Sequence, residues 1–147
     1  MKKFLISIAV ILIAIQFFQP EKNISKESSY NSIEKQYAIP SNVNLLLRTS
    51  CYDCHSNNTK YPWYSNIQPV GWWLSNHINE GKRELNFDEF NSYTLEKKKK
   101  KISEIIKEID KKDMPLSSYT LIHRNAELTA EQQQEIIQWA KNIDNNL

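Results

Sequence analysis

The chain has 147 residues, of which 40% are apolar and 24% charged, a size and balance that fit one domain with one modest core and exclude a two-domain architecture. Two glycines and five prolines exclude collagen-like and flexible low-complexity chains, and the spread of aromatic residues argues against wholesale disorder. Lys2 and Lys3 supply the whole +2 excess of 19 basic over 17 acidic residues, so from Glu21 onward the chain is formally neutral and offers nucleic acid no broad basic face.

Met1-Lys2-Lys3 is followed by an apolar run from Phe4 to Phe18, broken only by Ser7 and Gln16. A short basic stretch ahead of such a run is the pattern of an export segment. As a helix, the run would be about 22 Å long against a hydrocarbon core of about 30 Å, short for a full span. No small-x-small pair follows it between Gln16 and Lys22, which points to an uncleaved N-terminal anchor; cleavage would instead release a soluble periplasmic protein. Residues 1–20 are therefore expected to be an export signal or membrane anchor and residues 21–40, rich in Lys, Ser, Asn and Glu, a polar tether. Residues 41–147 are expected to form the domain. A helix after Pro40, with Ser41 as its cap, carries Leu45, Leu46 and Leu47 towards the first cysteine.

Both cysteines lie in Cys51-Tyr52-Asp53-Cys54-His55. On a helical turn, positions 51, 54 and 55 share one face, so two thiols and an imidazole converge on one volume. The pattern reads as a c-type haem attachment site, in which the thiols add across the two vinyl groups and His55 is the axial ligand. Two other readings use the same residues: a thioredoxin-like redox pair or local disulfide, for which the chain lacks a βαβ pattern, and a zinc site, for which His77 and His123 stand too far apart.

Tyr61-Pro62-Trp63-Tyr64 is a helix-breaking loop, since Pro62 pushes Tyr61 towards extended backbone; its three rings suit either a wall over one haem face or ordinary core packing. After Pro69 a helix is expected to carry Trp73 and His77 on one face and to stop at Gly81. His77 is either a hydrogen-bonded packing residue or an alternative sixth ligand. Asn86 caps a short helix.

From Thr94 a longer helix places Leu95, Ile102, Ile105, Ile106 and Ile109 on a core-facing stripe. Lys97 to Lys101 interrupt the stripe, so some must flank it and snorkel outward. They form either a solvated face or a docking patch for an acidic redox partner or an anionic membrane. Pro115 then leaves Met114, the only methionine besides Met1, in a charged loop. Its soft thioether suits the second axial position of haem iron, with an open site or His123 as further possibilities. Thr129 and Gln132 form a capping box ahead of a helix with Ile136, Trp139, Ala140 and Ile143 on one face. That helix is expected to cross the one ahead of the cysteines, with Trp139 between them.

From Leu45 to Ala140 the chain resembles the small haem-binding domain proteins of bacteria, which are similar to single-haem cytochromes c. The residues that carry the resemblance are Cys51-Tyr52-Asp53-Cys54-His55-Ser56, Tyr61-Pro62-Trp63-Tyr64-Ser65-Asn66, Asn76-His77-Ile78-Asn79-Glu80-Gly81, Asn86-Phe87 and Met114-Pro115 with Tyr119. The resemblance implies one covalent haem c per chain, a redox role and an N-terminal membrane segment. In cytochromes c a proline-containing loop supplies a carbonyl to the axial histidine's other nitrogen, which directs attention to the segment between Pro62 and Pro69.

The predicted protein is an all-α, cytochrome c-like domain around haem c, preceded by an export or membrane helix and placed on the periplasmic side of the bacterial inner membrane. Its expected site comprises Cys51, Cys54, His55, Met114, Tyr61, Trp63 and Tyr64, with iron held by His55 and Met114. Its expected work is one-electron transfer with a redox protein partner rather than catalysis. The competing functions are a haem-based module for binding or sensing small ligands and a haem-free thiol oxidoreductase.

Overall fold

The computed structural model describes residues 1–25 and 27–147. Seven α-helices follow one another, α1 (Lys2–Ile15), α2 (Ser41–Ser50), α3 (Tyr52–His55), α4 (Val70–Glu84), α5 (Leu95–Asp110), α6 (Ser117–Thr120) and α7 (Ala130–Asp144), joined by short 3-10 turns. Among the described residues no β-strand forms, and the only β-pairing is an isolated bridge between Ile24 and Asn58. The fold is all-α, as the periodicities predict.

The core is built where the apolar stripes meet. Ile102, Ile105 and Ile109 of α5 pack with Ile136, Ile137, Trp139, Ala140 and Ile143 of α7, and Val43 and Leu47 of α2 close the cluster from the side. Thr94 caps α5 by accepting from Lys97 N, and Thr129 and Gln132 form the reciprocal capping box of α7, each satisfying backbone donors that a helix start leaves open. The principal partner of α7 is α5, and its contact with α2 is the smaller one. Trp139 donates its indole N–H to Ala38 O at 3.3 Å.

Several local expectations are corrected. Pro40, not Ser41, stands at the N-cap of α2, and Ser41 is already helical. Gly81 does not stop α4, which runs on to Glu84. A Cβ there would lie 2.7 Å from Cys54 O, so the glycine serves close approach of α3 to α4 rather than termination. Leu95 is exposed, leaving the α5 stripe to its isoleucines.

The lysine run does not make one patch, because the helix distributes it. Lys98 and Lys101 are buried, with the Lys98 ammonium 5.7 Å from the Tyr37 ring centre and 5.9 Å from that of Phe90, while Lys97 lies over Tyr93 at 3.9 Å. Lys99 and Lys100 remain exposed.

The segment expected to be a tether is part of the domain. Ile33 is fully buried, and Tyr37 and Ile39 pack against the same core. Its polar residues bind back as well: Asn31 O accepts from Asn91 N at 2.8 Å, and Asn23 Nδ2 donates to Ser56 O at 2.9 Å. A composition rich in Ser and Asn here supplies strap-forming hydrogen bonds rather than flexibility.

The N-terminal helix is shorter than the apolar run. Its 14 residues reach about 21 Å, and no helix among the described residues is long and apolar enough to cross a membrane. The helix ends because Gln16 turns its amide back to Leu12 O at 2.8 Å and across to Gln68 O at 3.1 Å. None of its residues is buried.

Candidate functional site

Cys51 is the corner between α2 and α3. Its backbone leaves the helical region (φ −126°, ψ −42°), yet its N–H still donates to Leu47 O and its carbonyl accepts from both Cys54 N and His55 N, at 3.1 and 2.9 Å. That single turn sends the motif's side chains two ways. Cys51 and His55 enter a cavity of about 340 Å³, and Cys54 lines a separate small space of about 10 Å³ on its other side. Both cysteines are free thiols.

The larger cavity is walled by Leu47, Leu85, Phe87, Ile105, Ile109, Pro115 and Leu128. Met114 is brought into it by the end of α5. Lys112 adopts a left-handed conformation (φ 61°), Lys112 N donates to Ile109 O, and Asp113 N donates to Glu108 O at 2.9 Å. This is the paired hydrogen bonding of a Schellman stop, and it reverses the chain so that Met114 and Pro115 close the cavity that His55 enters. Charged residues line one side of this cavity, Glu84, Glu104, Lys107, Glu108 and the buried Lys101, whose ammonium lies 2.7 Å from Glu104 and 3.3 Å from Glu84. Burial pulls the Lys101 ammonium down, but hydrogen bonds to Glu104 and Glu84 outweigh it and leave it above its ordinary value.

His55 is oriented by a backbone carbonyl. Its Nδ1–H donates to Leu85 O at 3.0 Å, which assigns the proton to Nδ1 and leaves the Nε2 lone pair for a metal. Burial is the main force holding its pKa below the ordinary histidine value, so the imidazole is neutral near pH 7, the ligating form. Leu85 follows the end of α4, so the carbonyl lies beyond the segment between Pro62 and Pro69 where it was sought. A carbonyl belongs to every residue, so no side-chain pattern announces this one. Phe87 meets the imidazole edge-on at 6.5 Å between ring centres and stacks with Tyr52 at 5.1 Å.

The thiols are poor nucleophiles as they stand. Burial, reinforced by Cys54, pushes Cys51 up to about 12, and burial with Asp53 pushes Cys54 up to about 11. Thiol–disulfide exchange needs a thiolate near neutral pH, so this pair is badly placed for it.

The aromatic loop does not wall the larger cavity. Tyr61 accepts a hydrogen bond from Asn23 N at 2.7 Å, Trp63 is 77% exposed, and Tyr64 shares a 2.8 Å hydrogen bond with His123 Nε2. Tyr64 and His123 instead line the small space beside Cys54, together with Tyr119, whose hydroxyl donates to Asp53 Oδ2 at 2.7 Å. Pro62 sends this loop across the far side of α3, which explains the displacement. His77 is likewise outside: half-buried on α4, it donates Nδ1–H to Trp73 O at 2.9 Å and packs on the Trp73 ring at 4.2 Å.

Among the described residues no group of three or more His, Cys, Asp or Glu side chains is placed to hold a metal ion. The larger cavity instead offers one neutral imidazole, one thioether and one thiol inside an apolar wall. That donor set suits a planar, mostly apolar iron macrocycle better than a bare ion. A second, more open groove between the strap and α7 is lined by Tyr37, Val43 and Trp139 with several carboxylates and amides, and has no cysteine, histidine or methionine.

Comparison with curated proteins and with solved structures finds no match. The family described as haem-binding domain matches residues 10–142, a span that takes in Cys51, His55, Leu85 and Met114. The chain belongs to the haem-binding domain family.

Proposed function

We propose that this protein is an exported, covalent haem c carrier of single electrons, in which His55 and Met114 would hold the iron. The observation that carries the reading is the convergence of Cys51, His55 and Met114 on one apolar cavity, with the His55 proton committed to Leu85 O. Bound haem supplies a reversible one-electron iron couple, and a neutral sulfur ligand favours its reduced form more than a second imidazole does.

The chain's residues do the rest. The thiol of Cys51, and that of Cys54 after a turn of its side chain, would hold the group by adding S–H across a vinyl double bond, the proton going to the neighbouring carbon. Burial keeps His55 neutral, and Leu85 O fixes its direction. Leu47, Phe87, Ile105, Ile109 and Leu128 exclude water, and Lys101, paired to the more exposed Glu104 and Glu84, supplies a buried charge at the cavity. Lys2, Lys3 and the unburied apolar helix that follows support export to the periplasmic side of the inner membrane. Lys97, Lys99 and Lys100 are the exposed part of the lysine run, able to meet an acidic redox partner.

Expression alongside an export-side cytochrome c maturation system tests this reading. Haem stain should survive denaturing electrophoresis, and the absorption spectrum should change reversibly on reduction. A purified chain with two free thiols or a disulfide and no haem-linked band would remove the carrier reading. A haem-loaded chain that is high-spin and takes up carbon monoxide freely would replace it with a small-ligand-binding module.

A further inference from the structure

Charged residues make up 24% of the sequence, yet two long runs have no Asp, Glu, Lys or Arg: residues 4–20 and residues 61–79. The fold brings these two runs together. Gln16 and Gln68 bond reciprocally, Gln16 Nε2 donating to Gln68 O at 3.1 Å and Gln68 N donating to Gln16 Oε1 at 2.9 Å. Gln19 Nε2 donates to Asn66 O at 3.1 Å, and the Trp72 indole N–H donates to Phe18 O at 2.7 Å. The base of α1 is thereby stapled to the surface formed by residues 63–72.

That surface exposes large apolar groups that a water-facing domain would bury. Around the base of α1, Phe17 is 83% exposed, Phe18 68%, Trp63 77%, Ile67 45%, Trp72 39% and Trp73 48%. Three of the chain's four tryptophans are among them, whereas Trp139 is 3% exposed in the core. Tryptophan concentrates at the headgroup level of bilayers, where an apolar ring and an N–H donor both find partners. A contiguous exposed apolar face without charge marks an interaction surface.

We infer that the exposed apolar face formed by Trp63, Ile67, Trp72 and Trp73 around the base of α1 is a bilayer-docking surface, a tryptophan collar that rests in the headgroup layer. The occupant is lipid rather than a protein because the face is continuous with α1, whose apolar side chains are unburied along its length and which begins with two lysines suited to a headgroup region. The collar also answers the shortness of α1. A helix of about 21 Å falls roughly 9 Å short of the hydrocarbon thickness, and a short apolar helix is accommodated by local thinning and by interfacial anchors at its end. The inference rests on α1 reaching lipid and is independent of whether haem is bound.

The test uses the full chain mixed with vesicles of phosphatidylcholine and phosphatidylglycerol whose acyl chains carry bromine close to the headgroup. Co-flotation reads α1 reaching lipid, and quenching of tryptophan emission reads contact by the collar. The expected result is co-flotation with loss of about half or more of the emission, the unquenched remainder coming from Trp139. Replacing both Trp63→Ser and Trp73→Ser, exposed positions whose change leaves the core intact, should remove most of the quenched part. Co-flotation with unquenched emission would overturn the docking surface while leaving the membrane reading standing, and cross-linking of two chains through this face would assign it to a second copy instead. Failure to float would overturn both.

Discussion

The carbonyl oxygen of Cys54 lies 2.7 Å from the point where a side chain on Gly81 would begin. Within this contact the helix that carries the cysteine motif and the helix that leads to Leu85 O approach without an intervening side chain. Gly81→Ala gains about 1 kcal/mol of helix propensity, but the clash is with backbone and forces α3 and α4 apart, at a cost of about 1–3 kcal/mol. The expected outcome is a net loss of roughly 1 kcal/mol in denaturant unfolding, with less haem retained because His55 is displaced from Leu85 O.

The positions of Met114 and His77 separate two ligation schemes. Met114→Ala in the haem-loaded protein should shift the absorption spectrum towards high-spin, lower the reduction potential and admit cyanide or carbon monoxide more readily. His77→Ala, at a half-buried ring packed against Trp73 outside the cavity, should leave the spectrum unchanged. The reverse pattern would make the site bis-histidine.

Acid should weaken the cluster beside the cavity. The Glu104 carboxyl is held below its ordinary value, first by the hydrogen bond from Lys101. A carboxylate whose folded pKa is depressed adds stability above its unfolded value, and that contribution disappears as the pH falls through the folded one. Wild type should therefore melt higher than Glu104→Gln near neutral pH, and the gap should close as the pH falls through the depressed folded value. Because Glu104 is partly exposed, the gap is expected to be small. Equal melting temperatures at every pH would show that the Lys101–Glu104 contact adds nothing.

Tyr119→Phe probes the link between α6 and the cysteine turn. Removing the hydroxyl takes a 2.7 Å donor from Asp53 Oδ2 while Lys60 N still donates to Oδ1. A hydrogen bond to a partly solvated carboxylate is worth about 1 kcal/mol or somewhat more, so a loss of that order is expected in thermal unfolding. The haem spectrum should hold, since neither group enters the larger cavity.

The elements that periodicity could reveal were legible in the sequence. The α5 and α7 stripes, both threonine caps and the Asn86 cap are local signals, and the structure has all of them. The meeting of Cys51, His55 and Met114 in one cavity was legible too, because each residue type is scarce and chemically distinctive, whereas Cys54, expected on the same face, turns to the other side of α3. What composition hid was long-range. Ile33 is one apolar residue in a polar stretch, and only the folded domain shows it to be a core residue. Gly81 read as a stop because close helix contact and termination both call for glycine. Trp63 and Tyr64 read as a haem wall because an aromatic loop has no sequence mark for the side of a helix it will pass.

The packed strap limits where the chain may be trimmed. Removal of α1 by a protease acting between Gln16 and Lys22 would cost Gln68, Asn66 and Trp72 their partners in Gln16, Gln19 and Phe18 but leave every bond of Asn23 and the core in place. A cut just beyond Ile33 would detach that residue from the centre of the core and strip Asn91 of the partners it holds in Asn31 and Ser32. Limited digestion should therefore stall on a fragment beginning near residue 20, and any shorter product should be fully degraded rather than accumulate.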